Sequence, residues 1–269
     1  MTPPVATAVT DHPLGQQTVN APARGIHIGL AGWSEAVSRH RASFPTAFDP
    51  AATALAKYAT AFGFVEINAS FYRQFRAETY AKWADDVPKN FRFSVKMHRL
   101  ITHYTRLKNA ALLELFFESV AGLGEKLAVV LVQLPPSLIF DPAAARTFFD
   151  ALRARHAGPV ACEPRHESWT QSEALSLLGD HHVGLVRVDV PVAERETGDD
   201  ESPIYIRLHG TPRRYYSSYG SEQLMQLAEF LRLNPRRRRF VVFDNTASSA
   251  AVRNGLELMR LLGAEAAWP

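Results

Sequence analysis

The chain has 269 residues, 46% hydrophobic and 21% charged, and its 30 Lys and Arg against 27 Asp and Glu leave a formal net charge of +3. This is the balance of a folded protein with a sizeable core, and it excludes wholesale disorder, a collagen-like repeat and a small disulfide scaffold. Cys162 is the single cysteine, so no internal disulfide forms and a cytoplasmic setting is expected, while a net +3 is too small an excess to specify a polyanionic partner.

Residues 1–23 contain Pro3, Pro4, Pro13 and Pro22 and no Lys or Arg. Proline breaks helices, and the positive start and apolar block of a secretory signal are missing, so this stretch is expected to be a disordered tail. No segment approaches the ~20 uninterrupted apolar residues of a membrane span. From residue 24 to 264 short apolar runs alternate with amphipathic stretches. Strands are predicted at 26–31, 64–68, 91–97, 128–133, 160–163, 183–189, 204–209 and 240–245. Helices are predicted at 50–62, 78–86, 109–123, 142–156, 171–180, 221–233 and 247–262, from apolar spacings such as Leu112, Leu115, Phe116, Val120 and Leu123. Residues 191–203 read as a loop. Eight β units with seven helices in about 240 residues predict an α/β fold of one domain, a (β/α)8 TIM-type barrel. An open doubly wound sheet would carry a glycine-rich first turn, and Gly29-Leu30-Ala31-Gly32 does not continue into that fingerprint.

Several strands alternate in a consistent sense. Val65 and Ile67 oppose Glu66 and Asn68; Phe93, Val95 and Met97 oppose Ser94, Lys96 and His98; Ile204, Ile206 and Leu208 oppose Tyr205, Arg207 and His209. Outer helices need the apolar parity, so the polar parity is expected to point into the barrel. In strand six, Val186 and Val188 are expected outside, with Arg187 and Asp189 inside. Buried charges must pair or border a solvated pocket, and barrel enzymes place their chemistry at the C-terminal ends of the strands. Glu66, Asn68, Lys96, Gln133, Glu163, Arg165, Asp189, Arg207, His209 and Asn245 all fall there.

The strand-end motifs Gly32-Trp33, Glu66-Ile67-Asn68 with Ser70-Phe71-Tyr72-Arg73, Ser94-Val95-Lys96, Gln133-Leu134-Pro135-Pro136, Glu163-Pro164-Arg165-His166 with Trp169, Arg207-Leu208-His209-Gly210 and Phe243-Asp244-Asn245-Thr246 resemble the YecE-like family, a family of unknown function, in its own motif order from about Gly25 to Leu262. The resemblance implies a TIM-type barrel and no established reaction. Asp244 departs from it where a second Asn is expected; its parity is read as facing the helices, and it receives no site role. Ser34 and Glu35 stand where the family carries a Tyr-containing segment.

Three chemistries suit these residues. The leading expectation is metal-assisted phosphoester hydrolysis, with Glu163, Asp189 and His209 holding a divalent metal ion. Glu66 is then the base, while Lys96, Arg165 and Arg207 hold the anion. A metal-free enzyme is the second, with Glu66 or Glu163 as base and His209 as acid. It includes an isomerase or lyase of a phosphorylated sugar. There Lys96 is expected to be ion-paired to Glu66 or Glu163 rather than free as a Schiff-base nucleophile. A non-catalytic nucleic-acid or nucleotide-binding protein is the third, suggested by Arg213-Arg214-Tyr215-Tyr216-Ser217-Ser218-Tyr219. Substrate contacts are expected from Trp33, Asn68, Tyr72, Gln133, Arg165, Arg207, Tyr219 and Asn245. The run Arg236-Arg237-Arg238-Arg239 precedes strand eight and is placed on the opposite face.

Overall fold

The computed structural model describes residues 25–39, 52–190 and 200–263; the expected tail and most of the 191–203 loop lie outside them. Among the described residues nine strands run parallel: β1 (Ile26–Ala31), β2 (Phe64–Ile67), β3 (Arg92–Lys96), β4 (Leu127–Gln133), β5 (Val160–Glu163), β6 (Val183–Leu185), β7 (Arg187–Val188), β8 (Ile204–Leu208) and β9 (Arg239–Phe243). Their order is β6-β5-β4-β3-β2-β1-β9-β8-β7. Only Val186 separates β6 from β7, so the two edges of this sheet are halves of one interrupted sixth strand. The sheet is a nearly closed TIM-type barrel.

Among the described residues eight α-helices accompany it: α1 (Ser34–Arg39), α2 (Ala54–Tyr58), α3 (Ala77–Asp85), α4 (Leu112–Val120), α5 (Pro142–Arg153), α6 (Ser172–Asp180), α7 (Ser221–Leu233) and α8 (Ala250–Leu261). Helix α5 shows how the sequence sets them. Asp141 caps its first turn by accepting from the Ala143 and Ala144 amides, Pro142 needs no donor there, and Ala145, Phe148, Phe149 and Leu152 form the buried stripe. Helix α1 has six residues, none of them buried, too short for an apolar period to show.

The strands sort their side chains as the alternation predicts, except in the sixth. Val65, Ile67, Val95, Val132, Ile206 and Phe243 pack with the helices. Phe64, Leu131, Tyr205, Phe240 and Val242 point inward and fill the barrel floor. Val186, expected outside, joins this inner cluster. Arg187, expected inside, lies over the Phe230 ring of α7, 5.6 Å from its centroid. Val183 and Leu185 of β6 already pack with the helices, so plain alternation gives Val186 the inward place and turns Arg187 outward. His27 stacks on Phe240 in the floor. Burial, then Arg92, Arg238 and Arg239, lower its pKa to about 4.

The basic run before β9 is largely built into this lower end. Arg239 donates to the Leu231 carbonyl and Arg237 to that of Ser202, while Arg236 sits 3.7 Å from Asp200.

Room for the floor comes from Gly29. A Cβ there would lie 2.0 Å from the Phe64 carbonyl oxygen, a backbone atom of the paired strand that cannot swing aside. Gly29→Ala is therefore expected to lose about 1–3 kcal/mol through overpacking, read as a lower urea midpoint at unchanged slope.

Candidate functional site

Above the apolar floor the inward side chains become charged, and Arg207 of β8 ties them together. Its Nε and Nη2 form a fork on Glu66 of β2, at 3.1 and 2.8 Å. Its Nη1 reaches Glu163 of β5 at 2.9 Å, and Nη2 also reaches Asp244, just past β9, at 3.1 Å. Tyr205 donates to Glu66 Oε2 at 2.8 Å and lies 2.7 Å from Ser94 Oγ. Glu66 is fully buried and Arg207 nearly so. A buried pair of this kind stands only when every lone pair and donor is matched, and the fork geometry supplies that match.

His209 and Arg165 close the network. His209 Nδ1 lies 2.8 Å from Asp244 Oδ2, and its Nε2 lies 3.6 Å from Glu163 Oε1 and 3.5 Å from Arg165 Nη2. Arg165 also sits against Glu163 Oε1, and Gln133 donates to Glu163 Oε2 at 3.3 Å. Burial alone would raise the Glu163 pKa; His209, Arg207 and Arg165 outweigh it and hold the carboxyl at about 2. Burial would likewise lower His209, but its bonds to Asp244 and Glu163 win and raise it.

Lys96 stands apart. It is 8% exposed, and among the described residues its Nζ has no carboxylate within ion-pair distance. Its contact is the face of Phe71, with Nζ 4.4 Å from the ring centroid. Burial, followed by the positive charge of Arg207, lowers its pKa against the weaker pull of Glu66, Glu163 and Asp244. The expected ion pair does not form because Arg207 has already claimed those carboxylates.

Over this layer opens a cleft of about 720 Å³ at the C-terminal ends of the strands. Among the described residues Lys96, Arg99, Arg165, Arg207 and Arg214 line it against a single carboxylate, Asp244, with Asn68, Phe71, Tyr72, His103, Tyr104, Gln133 and Tyr215 in the remaining wall. Buried Nε of Arg165 and Oδ1 of Asn68 have no hydrogen-bond partner among the described residues. On the rim Arg99 lies over the rings of Tyr72 and Tyr104, and Arg214 over that of Tyr215.

Of the residues singled out by sequence, Asn68, Tyr72, Lys96, Gln133, Arg165 and Arg207 line the cleft, and Glu66, Glu163 and His209 lie buried in the layer around Arg207. Asp189, Tyr219, Asn245 and Trp33 go elsewhere. Asp189 accepts from the Tyr219 hydroxyl at 2.6 Å, and that hydroxyl accepts from the Gly210 amide at 2.7 Å. Asn245 has the outward parity of Phe243 and donates to Ser217 O and Asn254 Oδ1. These contacts fasten the loop after β8. Trp33 lines a separate cavity of about 220 Å³ between β1, α1 and α8. Glu163, Asp189 and His209 thus do not converge, and among the described residues no group of three or more His, Cys, Asp or Glu side chains could hold a metal ion.

Arg99 and His103 also line the cleft without having been singled out in the sequence, and so does Asp244. Counting parity from Phe240 and Val242, both inner residues, would have placed it inside.

Residues 27–269 match the family described as "Protein of unknown function DUF72", and the chain belongs to that family, for which YecE-like is another name. It is 26% identical to the UPF0759 protein YunF of Bacillus subtilis (strain 168), over 89% of this chain and 95% of that one. Among solved structures, a DUF72 family protein of Thermotoga maritima MSB8 superimposes with a TM-score of 0.71 at 25% identity, covering 88% of this chain and 99% of that one. One from Enterococcus faecalis V583 gives 0.70 at 23%, covering 88% and 95%. These likenesses agree with the TIM-type barrel.

Two outcomes follow from the charged layer. Glu66→Gln leaves Arg207 short of a counter-charge and is expected to cost about 3–5 kcal/mol of stability, measured by chemical denaturation. Stability should also be bell-shaped in pH. The Glu163 contribution is complete above its unfolded value of 4.5 and is lost as pH falls toward about 2. The His209 contribution is complete below its unfolded value of 6.5 and is lost as pH rises through its higher folded value. A denaturation series should therefore show a plateau between about pH 4.5 and 6.5, with the alkaline fall flattened in His209→Gln.

Proposed function

We propose that this DUF72-family barrel is an enzyme that binds a small phosphate- or carboxylate-bearing substrate in the cleft and works on it by metal-free chemistry centred on Lys96. The observation that carries this reading is the charge of the wall: among the described residues five cationic side chains face the cleft against one carboxylate, Asp244. The buried carboxylates answer Arg207 and Arg165 of these five, and among the described residues Lys96, Arg99 and Arg214 are left without an ion-pair partner. An anionic group held at the mouth would meet the unpartnered Arg165 Nε, and Arg99 and Arg214 present planar donors beside it. Glu66, Glu163 and His209 become positioning residues under this reading; Lys96 and His103 are the titratable groups left to face the substrate. His103 is kept neutral by burial, then by Lys96 and Arg99, which suits it to accept and return a proton. Metal-assisted hydrolysis through Glu163, Asp189 and His209 lacks its ligand set, so the isomerase or lyase class takes its place.

Nucleic-acid binding is a second reading, favoured by the stacked Arg99–Tyr72 and Arg214–Tyr215 pairs on the rim, since exposed rings flanked by guanidinium groups suit bases and phosphates together. Single-stranded oligonucleotide affinity with a steep salt slope, reduced by Tyr72→Ala, would support it.

The enzyme reading is tested with inorganic phosphate in calorimetry. Removing the charged donor in Arg165→Gln costs about 1.5–3 kcal/mol, so affinity should fall roughly 10- to 150-fold. Phosphate that fails to bind the wild type, or binds both proteins equally, refutes the cleft as an anion site.

A further inference from the structure

The geometry points to Lys96 as a nucleophilic amine that forms a covalent imine with the carbonyl carbon of an aldehyde or ketone also bearing phosphate or carboxylate. The inference rests on the anion-binding reading of the cleft and adds the electrophile. Three observations carry it. Lys96 ends β3 with inward parity, so its amine rises from the barrel interior to the cleft wall. It is 8% exposed, and among the described residues no carboxylate comes within ion-pair distance of it. Arg207, the cation that its charge would have to tolerate, is fixed by three carboxylates and cannot withdraw. A buried lysine so placed is displaced toward its neutral form, the only form whose lone pair can attack.

The aromatic wall completes the arrangement. The Phe71 ring lies against Nζ at 4.4 Å and against the His103 ring at 4.8 Å, edge to face. His103 Nδ1 meets Thr102 Oγ1 at 2.9 Å. Its Nε2 has no hydrogen-bond partner among the described residues. In the step, the Nζ lone pair forms a bond to the carbonyl carbon, the carbonyl π pair moves onto the oxygen, and a proton passes from the nitrogen to that oxygen, giving a carbinolamine. The hydroxyl then leaves as water, and the nitrogen keeps the double bond as an iminium. The balance is amine plus carbonyl plus one proton to iminium plus water, the proton coming from solvent by way of His103. Hydrolysis reverses it. An iminium next to an anion held by Arg165 withdraws electrons from the adjacent carbon, as an isomerase or a carbon–carbon lyase requires.

Pyridoxal 5′-phosphate, an aldehyde with a phosphate, is the probe. The full-length protein at pH 7 is given a limiting amount, reduced with borohydride and mapped by peptide mass spectrometry. Label should appear on Lys96 at least tenfold faster than on the exposed Lys82, Lys89 and Lys108, and inorganic phosphate should slow it. Lys96→Arg and Lys96→Met should retain only the slow surface labelling. Labelling of Lys96 no faster than the exposed lysines overturns the proposal. Glyceraldehyde, an uncharged aldehyde, separates the two readings. If it marks Lys96 selectively and phosphate gives no protection, the amine chemistry stands and the anion site falls. If phosphate binds by calorimetry while neither aldehyde marks Lys96 selectively, the imine falls and the anion site stands.

Discussion

The fork of Arg207 on Glu66 crosses the barrel interior from β8 to β2, and the arrangement of the whole upper layer depends on it. Three carboxylates from three parts of the sheet approach one guanidinium, with Arg165 and His209 beside it, so their charges are answered by cations held in place. Replaced by apolar groups of like shape, such a cluster often costs a protein little stability; with one member deleted, it leaves a stranded charge. Its worth here lies in direction. It decides which groups are used up inside the barrel and which still face outward with charge to spare.

That division makes two tiers. In the lower tier His209, Arg207 and Arg165 keep Glu163 ionised, and Asp244 and Glu163 bias His209 toward its protonated form against burial and the charge of Arg207. These are the marks of a rigid electrostatic base rather than of groups that change state as a substrate turns over. In the upper tier Lys96 and His103 are both pushed toward neutrality by burial and nearby cations. Titratable groups driven in opposite directions within one site are the usual signature of divided chemical roles. Here the division follows depth in the barrel.

The loop after β8 bounds the cleft and is itself held by buried polar contacts. Gly210 has a positive φ of 91°, and a Cβ there would lie 2.7 Å from the Ser217 carbonyl oxygen, so this turn needs glycine. Tyr219 bonds Asp189 through its hydroxyl and Asn254 through its backbone, and Asn245 bonds Ser217. Residues that looked like ligand contacts in sequence therefore act one step back, by fixing the loop that carries Arg214 and Tyr215 to the rim.

Strand placement, the inward sense of Glu66, Lys96, Glu163, Arg207 and His209, and the family motifs were legible in the sequence, because period-two alternation and strand-end position are local properties of the chain. The inward place of Val186 was not, since a short apolar strand can alternate in either phase and only its packing against the helices chose one. Nor was the role of Asp244, or the isolation of Lys96. Which carboxylate meets which cation is a competition among residues far apart in the chain, such as Glu66 and Arg207, 141 positions apart. No spacing rule ranks those partners. The sequence by itself determined that both signs of charge enter the barrel at its C-terminal end. Only the tertiary structure decided that the acids are consumed by Arg207 and that a lysine is left without one, because ion pairing depends on distance and burial in space.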